Sequence, residues 1–177
     1  MRVVVTGVPG TGKTSISRKL SARLGCRLVE VNKVLEKKRL WRGKDASGAK
    51  IALMGPLGKA LGEEMLRHES VIVEGHLACE FPLPADRVVV LRTDPAVLGA
   101  RLGRRKYPPA KTRENVFAEL LDYCTIRSEQ NYGKRKVAEM DTTKSSPESA
   151  AREIVAILKG KRKPKEVSWA KKLEELV

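Results

Sequence analysis

Short runs of β-branched and apolar residues alternate along the chain with stretches of helical periodicity, and that alternation sets the expected architecture. Arg2-Val3-Val4-Val5-Thr6 is apolar and closes on a glycine- and proline-rich turn, which predicts a buried strand over 2–6. Ile16, Leu20 and Leu24 recur at intervals of four, one face of a helix over 13–24 that stops at Gly25. A second strand is expected over 27–31, a charged helix over 32–40 and a loop over 41–48. Gly55, Pro56, Gly58 and Gly62 break or shorten the next helix, 50–68. Val71-Ile72-Val73-Glu74 predicts a third strand and 87–92 a fourth. Asp94-Pro95 reads as a helix N-cap with proline at the first helical position, for a helix reaching about residue 102. A basic, proline-containing loop over 103–113 then precedes a long helix over 114–131. A fifth strand over 136–140 and a last helix over 147–158, started by Ser146, complete the pattern. Strands alternating with helices predict one α/β domain around a mainly parallel five-stranded sheet flanked by helices.

Composition narrows the setting. The chain has 177 residues, enough to bury one core without disulfides or metal. Hydrophobic residues at 41% exclude a wholly disordered chain, and aromatics at 4% leave little material for a base-stacking surface. The first residues form a strand rather than a signal-peptide core, and no apolar run approaches the ~20 residues that span a bilayer, so a cytoplasmic, membrane-free protein is expected. Cys26, Cys79 and Cys124 are odd in number and far apart, which fits reduced thiols rather than a disulfide framework or a zinc knuckle. A net charge of +15 points to an anionic partner without saying which. Beyond Gly160 the composition shifts to Lys161-Arg162-Lys163-Pro164-Lys165, then an amphipathic stretch around Trp169, Leu173 and Leu176. These residues, 159–177, read as a basic tail appended to a domain over 1–158, and truncation after Leu158 is expected to spare catalysis.

One motif carries specific chemistry. Gly7-Val8-Pro9-Gly10-Thr11-Gly12-Lys13-Thr14 matches G-x-x-x-x-G-K-[ST], with a strand entering and a helix leaving. Backbone N–H groups of such a loop converge on phosphate, and the helix N-terminus adds partial positive charge. Lys13 would meet the β- and γ-phosphates of ATP, Thr14 would ligate Mg²⁺, and Ser15 would reach the α-phosphate, with Gly10, Thr11 and Gly12 shaping the loop. A GTPase would need a guanine-reading N/T-K-x-D segment. Asn32-Lys33-Val34-Leu35 lacks its Asp and comes too early, and Asp45-Ala46-Ser47-Gly48 spells D-x-x-G with no strand leading into it. A small phosphotransferase fits better. Glu74, ending the third strand, is placed to hold Mg²⁺ or its water, and His76 to orient a water. Arg101, Arg104, Arg105, Lys106, Lys111 and Arg113 carry six positive charges without an intervening acid, as a lid over phosphates would; Arg101 and Arg105 are the expected phosphate contacts.

The P-loop, Val71-Ile72-Val73-Glu74-Gly75-His76, Val88-Val89-Val90-Leu91-Arg92-Thr93-Asp94, Arg101-Leu102, Arg105-Lys106-Tyr107, Asn115 and Glu119 together resemble the archaeal and eukaryotic adenylate kinase isoenzyme 6 family over about 1–158. The resemblance implies a P-loop NTPase fold with a monophosphate-binding segment over about 30–53 and a lid over about 104–114. It implies a broad-specificity nucleoside monophosphate kinase, AMP foremost, with ATPase activity. It also implies a role in late small-subunit ribosome maturation and rRNA 3′-end processing, with ribosomal protein S-eleven and pre-ribosomal RNA as partners. Arg105 would be the lid arginine, and Glu74 and His76 the acidic-x-His pair. The sequence departs from the family at Lys33, where Asp is common, at Glu74, an Asp in eukaryotic relatives, and at Lys106, a Gly elsewhere. Residues 48–61 lack the expected acids. Two alternatives follow: an assembly ATPase with modest kinase activity, and an RNA-binding module that uses nucleotide structurally.

Overall fold

A computed structural model describes residues 1–45 and 48–174, with the last two of these described for backbone alone. Its sheet contains β1 (Arg2–Thr6), β2 (Arg27–Glu30), β5 (Val71–Glu74), β6 (Arg87–Arg92) and β7 (Val137–Asp141), all parallel in the order β2-β5-β1-β6-β7. The pleat divides the core between two faces. Val3, Val5, Ile72, Val89 and Leu91 point to the side covered by α1 (Lys13–Leu24) and α7 (Pro147–Leu158), packing on Ile16, Leu20, Ala150, Ala151 and Ile154. Val4, Val71, Val73, Val88 and Val90 point the other way. They meet Leu57, Leu61 and Met65 of α3 (Met54–Leu66) and Leu98 and Leu102 of α4 (Pro95–Arg104). Strands buried on both faces must be apolar at every position, which is why the sequence shows continuous valine runs rather than alternation.

The sheet and the two expected helix caps are present. Asp94 accepts hydrogen bonds from Ala96 N at 2.9 Å and Val97 N at 3.4 Å, and Ser146 from Ser149 N at 3.1 Å. Four expectations need correction. Residues 41–52 form an antiparallel hairpin, β3 (Trp41–Lys44) with β4 (Lys50–Ala52), in place of a loop and a helix start. Between the two strands Gly48 N donates to Asp45 O at 2.9 Å; Ala46 and Ser47, within the D-x-x-G match, lie outside the described residues. The charged helix is shorter than expected, α2 (Val31–Lys37). The basic loop is mostly helical: α4 continues to Arg104, and α5 (Pro109–Leu120) starts five residues later. Proline suits a first helical turn, where its missing N–H has no partner to lose, so Pro108-Pro109 opens a helix rather than prolonging a loop. The long helix divides into α5 and α6 (Tyr123–Tyr132) because Asp122 adopts a left-handed conformation, φ 54°.

That turn brings the Asp122 carboxylate to Arg92, the residue that ends β6 and is only 1% exposed. Arg92 Nε donates to Glu119 Oε1 at 2.7 Å, Nη2 to Glu119 O at 3.1 Å and to Asp122, and Nη1 to Glu139 and to Thr125 Oγ1 at 3.3 Å. Burial works against the guanidinium charge, but Glu119 and Glu139 hold its pKa above the ordinary arginine value. Residues that composition sets apart as a tail join this cluster. Val167 N donates to Glu139 Oε2 at 2.9 Å, and Trp169 Nε1 to Glu119 Oε1 at 2.9 Å. Lys172, on the short α8 (Ala170–Glu174), pairs with Asp94 at 2.8 Å. The side chain of Leu173, and Leu176, lie outside what is described.

Removing the cation would strand buried carboxylates. Arg92→Met is therefore expected to cost about 3–5 kcal/mol of stability in urea unfolding, against about 1 kcal/mol for loss of the Ser146 cap in Ser146→Ala. Equal costs would mean that the cluster is not structural.

Candidate functional site

In a parallel sheet every strand ends at the same edge, so the residues that follow β1, β2, β5, β6 and β7 are gathered there. β1 leads into the P-loop, β5 into Glu74-Gly75-His76 and β2 into Asn32. The loop follows its required path through positive-φ glycines, Gly10 at 98° and Gly12 at 93°. A Cβ on Gly10 would lie 2.6 Å from Leu98 Cδ1, so α4 packs directly beneath the loop and admits no side chain there. Thr11 Oγ1 bonds Val8 O at 3.0 Å, and Thr142, in the loop after β7, bonds Thr11 O at 3.0 Å.

A cavity of about 230 Å³ opens at this edge, lined in part by Lys13, Thr14, Ser15, Asn32, Glu74, His76, Arg105 and Tyr107. Thr14 Oγ1 donates to Glu74 Oε1 at 3.1 Å. Lys13 Nζ donates to Val8 O at 3.0 Å, folded back on its own loop. Burial lowers the Lys13 pKa, with Glu74 opposing. Burial raises that of Glu74, with Lys13 and the Thr14 hydroxyl opposing. A hydroxyl oxygen and a carboxylate oxygen side by side form a hard donor pair that fits Mg²⁺, alone or through its water. The loop amides, Lys13 and Arg105 fit the phosphates of a nucleotide.

The other expected residues divide. Arg105 belongs to the lining. It precedes Lys106, whose φ of 57° places it in the left-handed position of a helix C-cap. Lys106 N donates to Gly103 O at 2.9 Å and Tyr107 N to Leu102 O at 3.2 Å, the Schellman pattern in which glycine is usual. Arg101 is held elsewhere, which corrects its expected phosphate contact: Nη2 donates to Thr142 O at 2.9 Å and Thr143 O at 3.0 Å, and Nη1 to Thr93 Oγ1 at 3.4 Å. It braces the loop after β7 against the start of α4 and does not line the cavity. Asn32 and Tyr107 were missed as lining residues, although Asn32 follows a strand end and that position alone would have singled it out. Lys111 of α5 reaches Asp45, which follows β3, at 3.5 Å, so α5 and the β3–β4 hairpin touch.

A family model described as an AAA domain matches residues 3–122. A protein of Methanocaldococcus jannaschii named "Putative adenylate kinase" is 35% identical over 97% of this chain and 94% of its own length. Proteins of the same name from Pyrococcus furiosus (34%; 100% and 96%) and Halobacterium salinarum (38%; 93% and 94%) also match. The chain belongs to this archaeal P-loop family. Among solved structures, a shikimate kinase from Acinetobacter baumannii superimposes with a TM-score of 0.64 at 17% identity, covering 92% of this chain and 94% of that one. A gluconokinase from Sinorhizobium meliloti gives 0.64 at 20%, covering 90% and 91%. At those identities the likeness shows the shared P-loop kinase fold. No helix among the described residues of this family member is long and apolar enough to cross a membrane.

His76 offers a test of the site's electrostatics. Burial and the Lys13 charge lower its pKa from 6.5 to about 4. Between those values the unfolded chain binds a proton that the folded chain does not, so stability falls as pH drops through that window. His76→Gln cannot titrate there. The variant is expected to lose less stability than the unmodified chain between neutral pH and about pH 4.5, read from urea midpoints in metal-free buffer. An identical fall in both proteins would contradict the half-buried, neutral imidazole.

Proposed function

We propose that the chain is a nucleoside monophosphate kinase that transfers the γ-phosphoryl group of MgATP to a monophosphate, AMP foremost. The observation that carries this reading is the cavity in which Lys13, the Thr14–Glu74 pair and Arg105 face one another. In the proposed roles the P-loop amides with Gly10, Thr11, Gly12 and Ser15 hold the ATP phosphates, and Lys13 and Arg105 neutralise charge on the transferring group. Thr14 and Glu74 hold Mg²⁺, which supplies further neutralisation of the phosphates. His76, neutral at physiological pH, orients a water or the acceptor. Residues 30–53 (α2 and the hairpin) form the monophosphate segment, with Asn32 facing the cavity, and residues 104–114 form the lid. Names of relatives at 34–38% identity support the acceptor class.

The test is product analysis with MgATP and a panel of monophosphates. ADP formed in proportion to added AMP is expected, and Lys13→Ala should reduce it at least about 100-fold. Phosphate release from ATP with no monophosphate-dependent formation of ADP would replace the kinase with an ATPase.

A second reading adds ATP hydrolysis during small-subunit maturation, with S-eleven and pre-ribosomal RNA as partners, and is favoured by the exposed basic run at 159–165. Arg162 of that run is paired with Glu153 at 3.1 Å, which leaves Lys159, Lys161, Lys163 and Lys165 for phosphates. If they meet RNA, the logarithm of affinity should fall with log salt at a slope of about −3, measured by filter binding. Replacing all four by Ala should flatten it. An unchanged slope would reduce the run to a solubility feature.

A further inference from the structure

The carboxyl-terminal residues make contacts that a solubilising tail has no reason to make. Trp169 and Lys172 both touch the open end of one helical hairpin. Its arms are α4 and α5, its tip is the 105–108 link that carries Arg105 and Tyr107, and its open end is where α4 begins and α5 finishes. Trp169 Nε1 donates to Glu119, near the end of α5. Glu119 Oε1 also accepts from Thr93 N at 3.1 Å, two residues before α4 starts, and from Arg92. Lys172 pairs with Asp94, the cap that begins α4. The Trp169 ring centroid lies 6.0 Å from the Arg92 guanidinium carbon, and Val167 donates to Glu139 on the other side of the same cation. The open end of the hairpin is thus held by two attachments, from Trp169 and Lys172, with Val167 fixed to β7 beside them. The tip, whose side chains line the cavity, is exposed.

We propose that residues 167–172 are a strap that positions the lid, with Trp169 and Lys172 as positioning residues that set where Arg105 stands over the P-loop. The lever is long enough to matter. Arms of 10 and 12 residues span roughly 15–18 Å, so a tilt of about 5° at the strapped end displaces the tip by roughly 1.5 Å. Phosphoryl transfer by positioning is sensitive to displacements of that size. The turnover arm of the test rests on the kinase reading above; the exchange arm does not.

The test uses the full chain with Trp169→Phe, which keeps a ring near Arg92 and removes the N–H donor, alongside Trp169→Ala and Lys172→Ala. Amide hydrogen exchange is followed by mass spectrometry, and turnover is measured with MgATP and AMP. In Trp169→Phe, amides over 103–112 are expected to exchange roughly ten-fold faster while those of β1 and β5 stay as they were. The kcat should fall roughly three- to ten-fold with the KM for ATP unchanged, because the P-loop is untouched. Trp169→Ala should exceed Trp169→Phe in both readouts. Lid exchange and kcat equal to the unmodified chain would overturn the strap. So would a uniform acceleration over sheet and lid with kcat retained, which is the signature of a segment that only supports the fold. If the unmodified chain transfers no phosphoryl group to any acceptor, the kinase reading falls and lid exchange alone decides the strap.

Discussion

A single buried cation organises the half of the molecule that faces the P-loop. Arg92 ends the strand beside β1, and a guanidinium removed from water must be surrounded by acceptors or its burial costs several kcal/mol. The chain meets that requirement from five residues: Glu119 on α5, Asp122 in the break before α6, Thr125 on α6, Glu139 on β7, and the backbone of Val167, whose carbonyl accepts from Nη1 at 3.4 Å. Each acceptor fixes an element. Asp122 reaches inward only because the helix breaks in a left-handed residue, and Glu119 uses its second role to hold the start of α4. Helices α4 and α5, the edge strand β7 and the carboxyl-terminal segment are therefore located by one network, and burial of the Arg92 charge is compensated only while its acceptors are in place.

The phosphate end of the site obeys a different constraint, the direction of the sheet. Because β1 and β5 are parallel neighbours with Val5 beside Glu74, the P-loop helix and the Glu74 carboxylate emerge together, and Thr14 meets Glu74 without any long-range device. Glu74 is 6% exposed; burial raises its pKa, and Lys13 and the Thr14 hydroxyl oppose that shift without cancelling it. The P-loop end of the cavity is thus set by sheet topology and the α4–α5 hairpin by the Arg92 network. That hairpin reaches the carboxyl-terminal segment through hydrogen bonds that composition does not announce.

That difference explains what could be read in the sequence. The five strands, α1, α7 and the caps at Asp94 and Ser146 were legible, because valine runs, four-residue spacing and capping residues are local signals. The P-loop was legible for the same reason. The β3–β4 hairpin was not, since Trp41-Arg42-Gly43-Lys44 carries too few β-branched residues to register as a strand, and its pairing with 50–52 is a tertiary fact. Pro108-Pro109 looks alike in a loop and in a helix's first turn. Arg101 and Arg105 cannot be told apart by charge: one lies within α4 and bonds the carbonyls of Thr142 and Thr143, and the other follows the end of α4 and lines the cavity. Trp169 is a lone aromatic in a basic segment. Nothing local indicates that its indole N–H is matched to a glutamate fifty residues upstream.

The central claim is that the carboxyl-terminal attachments and the lid arginine act along one line, from Trp169 through Glu119 and the α4–α5 hairpin to Arg105. A double-mutant cycle on kcat, with Trp169→Phe, Arg105→Ala and the pair, tests it directly. The account predicts that Trp169→Phe slows the unmodified enzyme but has no further effect once Arg105 is gone. Losses that multiply independently would show that the strap and the lid arginine act separately, and would contradict it.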